Sequence, residues 1–218
     1  MNLGLAVPES LVLPLPQTRA GEIAGARAAT ALRPYCAAAN AVLIGPGMFA
    51  RPSVHELIAA LVSRLGNSTI LVLDGAAVIS LRDDESLLAP LAGRVVLTPH
   101  AGEIAALLGI SASAIARHAA TRFGATVLLK GAHSWIAQPD GALFRFNGAL
   151  VGLGTSGSGD TLAGIVAGLA ASGAAPCTSA LWGAWAHGAS GALLAKRVGK
   201  VGFLARELLA EVPALLRN

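Results

Sequence analysis

The segment Thr155-Ser156-Gly157-Ser158-Gly159-Asp160-Thr161 carries the strongest chemical signal in the sequence. Glycines clustered just before an apolar helix leave backbone N–H groups open at its positive end, and a turn of that kind holds an anion. Asp160 falls in the first helical turn, where a carboxylate either caps the helix or acts as a base beside bound phosphate. Further upstream, polar and glycine residues follow short apolar runs: Gly45-Pro46-Gly47, Asp74-Gly75, Thr98-Pro99-His100 and Lys130-Gly131. Open α/β sheets bind ligands outside the carboxyl ends of their strands, so four such ends in one chain predict a cleft. Taken alone, His100 reads equally as a loop histidine or a ligand contact, and Lys130 as a solubilising charge or a cleft residue.

The elements that must position these residues follow from the hydrophobic pattern. Ala41 to Ile44, Thr69 to Leu73, Arg94 to Leu97 and Thr126 to Leu129 have the length and β-branched content of buried strands. Ser53 to Leu65, Glu85 to Leu91 and Glu103 to Ala120 carry helical spacing between them, with Ser53 and Glu56 spaced as a capping box. The alternation predicts a mostly parallel sheet with crossover helices. Ser134 to Gln138 and Ala142 to Phe146 flank Pro139-Asp140-Gly141, which predicts a hairpin and therefore an antiparallel edge. Helices are expected over Asp160 to Ala171, Thr178 to Lys196 and Leu204 to Leu216, and no linker-like stretch divides residues 1–218 into two domains.

Composition narrows the class. With 218 residues, 54% hydrophobic and 13% charged, the chain has apolar surface enough for a folded core, which excludes disorder. No Asp, Glu, Lys or Arg occurs from Thr161 to Ala195, but repeated glycines and an alanine-rich make-up predict two close-packed core helices rather than a membrane span. A net charge of +4 with only 4% aromatic residues and scattered basic side chains gives no nucleic-acid footprint. Cys36 and Cys177 lack metal or redox spacing and read as reduced structural thiols. Met1 to Pro16 has no secretory leader pattern, so the cytoplasm is the expected compartment.

In order and spacing, six segments resemble the NAD(P)H-hydrate dehydratase family: VLIGPGM at Val42 to Met48, LVLDG at Leu71 to Gly75, VVLTPHAGEIAALLG at Val95 to Gly109, VLLKGAHSWIAQPDG at Val127 to Gly141, SGSGDTLAGIVAGL at Ser156 to Leu169, and HGASG at His187 to Gly191. The resemblance, which runs from about Ala41 to the C-terminus, implies a ribokinase-like α/β fold. It implies dehydration of the hydrated form of NADH or NADPH, driven by ADP or ATP with Mg2+. In that chemistry a phosphoryl group passes to the ring hydroxyl and leaves as phosphate. It implies Asp160 as the catalytic base, and substrate contacts from Gly47, His100 and Asp160. Nucleotide contacts would come from Lys130, Gly131, Ala132, His133, Ser134, Gly157, Ser158 and Gly159. No resident metal-ligand set is implied, and a homo-oligomer, a tetramer in relatives, is.

The sequence departs from the family pattern at Ser156, where a glycine is usual, at Ala76, where a second carboxylate is usual, and at Phe49, another usual glycine. The family's first glycine-rich strand and alanine-rich helix are expected to be missing. Two rival readings remain at this point: a related small-molecule kinase, and a nucleotide-binding protein with little turnover.

Overall fold

The computed structural model describes residues 3–108 and 115–217. In chain order the helices are α1 (Leu3–Ala6), α2 (Gly25–Ala38), α3 (Pro52–Val62), α4 (Ala76–Ile79), α5 (Ala101–Leu108), α6 (Ile115–Phe123), α7 (Ser158–Ala171), α8 (Pro176–Arg197) and α9 (Leu208–Leu215). The strands are β1 (Ala41–Ile44), β2 (Ile70–Leu73), β3 (Val95–Leu97), β4 (Thr126–Leu129), β5 (Ser134–Ala137) and β6 (Leu143–Phe146). They form one sheet in the order β1-β2-β3-β4-β5-β6. Neighbours from β1 to β4 run parallel, whereas β4–β5 and β5–β6 are antiparallel. The expected parallel sheet with an antiparallel edge hairpin is therefore present.

Alternation along each strand divides the core in two. Leu71, Leu73, Val95, Leu97, Val127 and Leu129 face a layer built from α2, α3, α4, α5 and α6. Val72, Val96, Leu128 and Ile136 face α7 and α8, which contribute Leu162, Val166, Ala180 and Ala184. A strand buried on both sides reads as a continuous apolar run, as ILVL in β2 does. The uncharged stretch resolves into α7 and α8, which lie against each other on that second face. A Cβ at Gly183 would come 2.5 Å from Val166 Cγ2, so the glycine permits the close approach of the two helices. Among the described residues no helix is long and apolar enough to cross a membrane.

Several boundaries differ from expectation. The Ser53/Glu56 capping box is absent: α3 starts at Pro52 with Arg51 as its N-cap and no side-chain capping bond. Proline at the first helical position presets φ and has no N–H to satisfy. The reading of one helix over Glu103 to Ala120 is met by α5 and α6, and positions 109–114 lie outside the described residues. Glu85–Leu91 is a 3-10 helix containing Pro90, and the C-terminal helix opens with a 3-10 turn at Ala205–Glu207.

Helix α2, which precedes β1, escapes a search for large apolar residues. Its buried face is Gly25, Ala28, Ala29 and Cys36. A Cβ at Gly25 would lie 2.5 Å from the Ser53 carbonyl, so small residues set how closely α2 rests on α3. Both cysteines are free thiols, Cys36 buried and Cys177 half-buried, and burial pushes both pKa values up.

Candidate active site

Strand register brings the predicted residues together at the carboxyl edge of the sheet. The Asp74 N–H donates to the Ile44 carbonyl at 3.0 Å, and the Thr98 N–H to the Leu73 carbonyl at 2.9 Å. The Lys130 N–H donates to Pro99 at 2.8 Å, and His100 and Lys130 pair across a last parallel bridge. At the end of β1, Gly45 has φ +124°, and a Cβ there would sit 1.7 Å from the Asp74 carbonyl oxygen. The chain turns there so tightly against β2 that only glycine fits.

Asp74 ties three strand ends together. Its Oδ1 accepts from Thr98 Oγ1 at 2.7 Å and from Lys130 Nζ at 2.6 Å. Asp74 is buried and the Lys130 side chain is 17% exposed. A carboxylate removed from water is tolerable when it is paired and hydrogen-bonded, as this one is.

His100 has a capping role that the sequence reading assigned elsewhere. Its Nδ1 accepts from the N–H groups of Gly102 at 3.0 Å and Glu103 at 3.2 Å. Its own N–H donates to Glu103 Oε2 at 2.8 Å. This reciprocal arrangement is a capping box at the start of α5, with histidine in the usual serine or threonine place. Because Nδ1 accepts, the ring proton resides on Nε2, which faces Glu103 Oε1 at 3.2 Å. Both ring nitrogens are thereby engaged within the chain, and the ring itself stays 57% exposed.

The anion loop opens onto the same edge. Gly157, at φ +81°, is the N-cap of α7, and no side chain caps that helix. The N–H groups of Gly159 and Asp160 have no partner among the described residues. The Asp160 carboxylate has no side-chain partner there either, so its capping alternative is not met. Ser158 is buried and its Oγ lies 2.9 Å from His187 Nε2 of α8. Burial lowers the His187 pKa from 6.5 to about 4, with the bond to Ser158 opposing and the Lys130 charge reinforcing the shift. His187 is therefore neutral at ordinary pH.

Two cavities meet here. The smaller, about 370 Å³, is lined by Gly47, Asp74, Ala76, His100, Glu103, Gly157 and Asp160 among others. The larger, about 720 Å³, is lined by Gly131, Ala132, Ser134, Phe146, Leu162, Ser158, Ala184 and His187 among others. His100, Lys130 and Gly159 line both, so they form the wall between them. Gly47, His100, Asp160 and Gly157 thus gather on one side, and Gly131, Ala132, Ser134 and Ser158 on the other. His133 stands apart: its Nε2 takes a hydrogen bond from Arg145 Nη2 at 3.3 Å, and it lines neither cavity. Asp74, Thr98 and Glu103 were visible as strand-end or motif residues without a role, and His187 only as part of HGASG. Their roles depend on side chains converging from separate elements, which spacing does not encode.

A sheet of this order, with an anion loop at a helix start and a carboxylate lining the cleft, defines a ribokinase-like fold. A ribokinase-like superfamily protein from Enterococcus faecalis superposes with a TM-score of 0.77 at 25% identity, over 98% of this chain and 72% of that one. The NAD(P)H-hydrate dehydratase family model matches residues 5–214, and the chain belongs to that family. The match reaches well before Ala41, where the motif resemblance begins, and so takes in α2. An ADP-dependent (S)-NAD(P)H-hydrate dehydratase of Xanthomonas campestris pv. campestris is 46% identical, over 99% of this chain and 74% of its own length. The ADP/ATP-dependent NAD(P)H-hydrate dehydratase of Bacillus subtilis, co-crystallised with ATP and Mg2+, superposes with a TM-score of 0.68 at 26% identity, over 84% of this chain and 70% of that one.

The side chains lining the site decide how Mg2+ is held. No three His, Cys, Asp or Glu side chains among the described residues gather as a metal cage. Asp74 is engaged by Lys130 and Glu103 by His100, while Ala76 supplies no carboxylate. That leaves Asp160 facing the smaller cavity. One carboxylate beside substrate phosphates and water is an ordinary setting for Mg2+, so the site fits an ion carried mainly by the nucleotide.

Proposed function

We propose that this chain, acting as one ribokinase-like domain, dehydrates the hydrated form of NADH or NADPH at the expense of ADP or ATP. The observation that carries the reading is the shared wall: one free carboxylate and unpartnered N–H groups stand where a large apolar cavity meets a small, more polar one. A large apolar chamber with few polar groups suits a nucleotide base and ribose. Lys130, Gly131, Ala132, Ser134 and Ser158 line it, and Gly157, Ser158 and Gly159 present the turn to the phosphates.

The hydrated nicotinamide ring occupies the smaller chamber. Gly47, at φ +71° and with no Cβ, lets the backbone approach the ring closely. His100 offers its exposed ring face, because its Nδ1 is used in the cap and its Nε2 faces Glu103. Asp160 takes the proton of the ring hydroxyl as that oxygen attacks the terminal phosphorus. The bond from phosphorus to the nucleotide's bridging oxygen breaks, giving AMP from ADP or ADP from ATP. Phosphate then leaves the ring carbon as the adjacent carbon loses a proton, which restores the double bond of NAD(P)H. Mg2+ bound with the nucleotide would offset phosphate charge, and the chain's own share is positioning and N–H donation at the loop.

The same reading makes the enzyme a cytoplasmic homo-oligomer, a tetramer. The exposed Trp182 and Trp185 on α8 support an apolar contact between subunits. Incubation with hydrated NADH and ADP tests the function. Recovery of reduced-nicotinamide absorbance, with AMP and phosphate formed in step, is the expected result. Accumulation of a phosphorylated alcohol instead would mark the protein as a small-molecule kinase.

A further inference from the structure

Lys130 lines both cavities, yet its ammonium is held by a residue from another strand. We propose that Asp74 is a positioning residue that sets the Lys130 ammonium at the junction of the chambers, where it stabilises the phosphoryl group in transit. This deepens the proposed function and rests on it.

Three observations converge. First, Asp74 Oδ1 takes both Lys130 Nζ, at 2.6 Å, and Thr98 Oγ1, at 2.7 Å, so the carboxylate oxygen is fixed from two directions. Second, a Cβ built on Gly159 would lie 3.2 Å from Lys130 Nζ, which sets the ammonium directly against the loop whose N–H groups are unpartnered. Third, Asp160 lines the smaller cavity together with Lys130 and Gly159. A phosphoryl group crossing from nucleotide to ring hydroxyl passes between those groups, with negative charge on its outer oxygens. An ammonium already in place meets that charge without reorganisation. Lysine is a flexible point charge on a four-carbon stem, so the alternative to Asp74 is an ammonium spread over many rotamers. The missing Ala76 carboxylate sharpens the point: among the described residues no second acid at this strand end competes for the lysine.

The test is a double-mutant cycle on the whole chain, read as kcat and KM for ADP, with nucleotide affinity by calorimetry and the melting temperature alongside. Asp74→Asn keeps the shape and removes the charge. It is expected to lower kcat about tenfold to a hundredfold while KM for ADP moves less than about threefold. Lys130→Met is expected to lower kcat further. The double variant is expected to match Lys130→Met alone, because Asp74 acts only through the lysine. Losses that multiply in the double variant, or an Asp74→Asn enzyme with wild-type kcat, would overturn the proposal.

If Asp74→Asn does not fold, Thr98→Val serves in its place, removing the second donor to the same oxygen. A several-fold loss of kcat that vanishes in the Lys130→Met background supports the role; unchanged kcat rejects it. A wild-type protein that never converts hydrated NADH rejects the function and this role together. Equal turnover in wild type and variant rejects the role alone.

Discussion

The two chambers on either side of Lys130 solve different physical problems with different materials. The smaller is walled by side chains that carry charge or hold it, Asp74, His100, Glu103 and Asp160, each fixed by a strand end or a helix start. The larger is walled by Phe146, Leu162, Ala184 and a histidine kept neutral by burial. Charge is concentrated where a bond is to change, and Lys130 at the shared wall carries it to the edge of the chamber where a ligand is to be held. The polar wall is built by short hydrogen bonds between strands, and the apolar wall by packing of α7, α8 and β6. Substitutions on the two sides should therefore fail in different ways.

The largest difference is expected from Asp160→Asn in the polar chamber. Turnover should fall by about a thousandfold, the range for loss of a general base, while ADP affinity by calorimetry changes less than about threefold. Parallel loss of affinity and turnover would place Asp160 with nucleotide holding. Gly45→Ala attacks the frame of the same chamber, since its Cβ would meet the Asp74 carbonyl at 1.7 Å with φ at +124°. A loss of about 3 kcal/mol is expected, or a melting temperature lower by roughly 10 °C. A variant that melts with the wild type would show that the β1 turn can relax.

On the apolar side, His187 predicts a pH effect. Its folded pKa is about 4 against 6.5 for the free group. The unfolded chain therefore binds the proton first, and stability present above pH 6.5 declines as pH falls towards 4. At about pH 5 the cost comes to about 2 kcal/mol. His187→Gln keeps a partner for Ser158 and should flatten that part of the stability profile, as denaturant titrations at several pH values would reveal. An unchanged slope would assign the pH dependence to other groups. The smallest effect is expected from Ala184→Leu, which narrows the larger chamber: KM for ADP rises about tenfold with kcat preserved. A fall in kcat would couple that wall to the chemistry.

Legibility in the sequence follows the same division. The strands were readable because each is a short apolar run ending in glycine or a polar residue, and β1 and β4 were read to the residue. The anion loop was readable because glycines before an apolar helix are a local signal. The Asp74–Lys130–Thr98 cluster was not, since its members lie at positions 74, 130 and 98 and meet only through the sheet. The expected capping box was placed at Ser53 and Glu56, yet it forms at His100 and Glu103, where histidine replaces the usual hydroxyl. Helix α2 was overlooked because its buried face is made of small residues, whose contribution is close approach rather than apolar bulk. Pro34 within it adds to the concealment.

The central claim is that nucleotide cleavage at the shared wall drives dehydration in the polar chamber. It is tested most directly by mixing the protein with hydrated NADH and ADP, then following reduced-nicotinamide absorbance and AMP together. The account predicts one AMP and one phosphate per NADH regenerated, with both signals lost in Asp160→Asn. NADH regenerated without ADP consumption, or ADP consumed with no NADH regenerated, would contradict it.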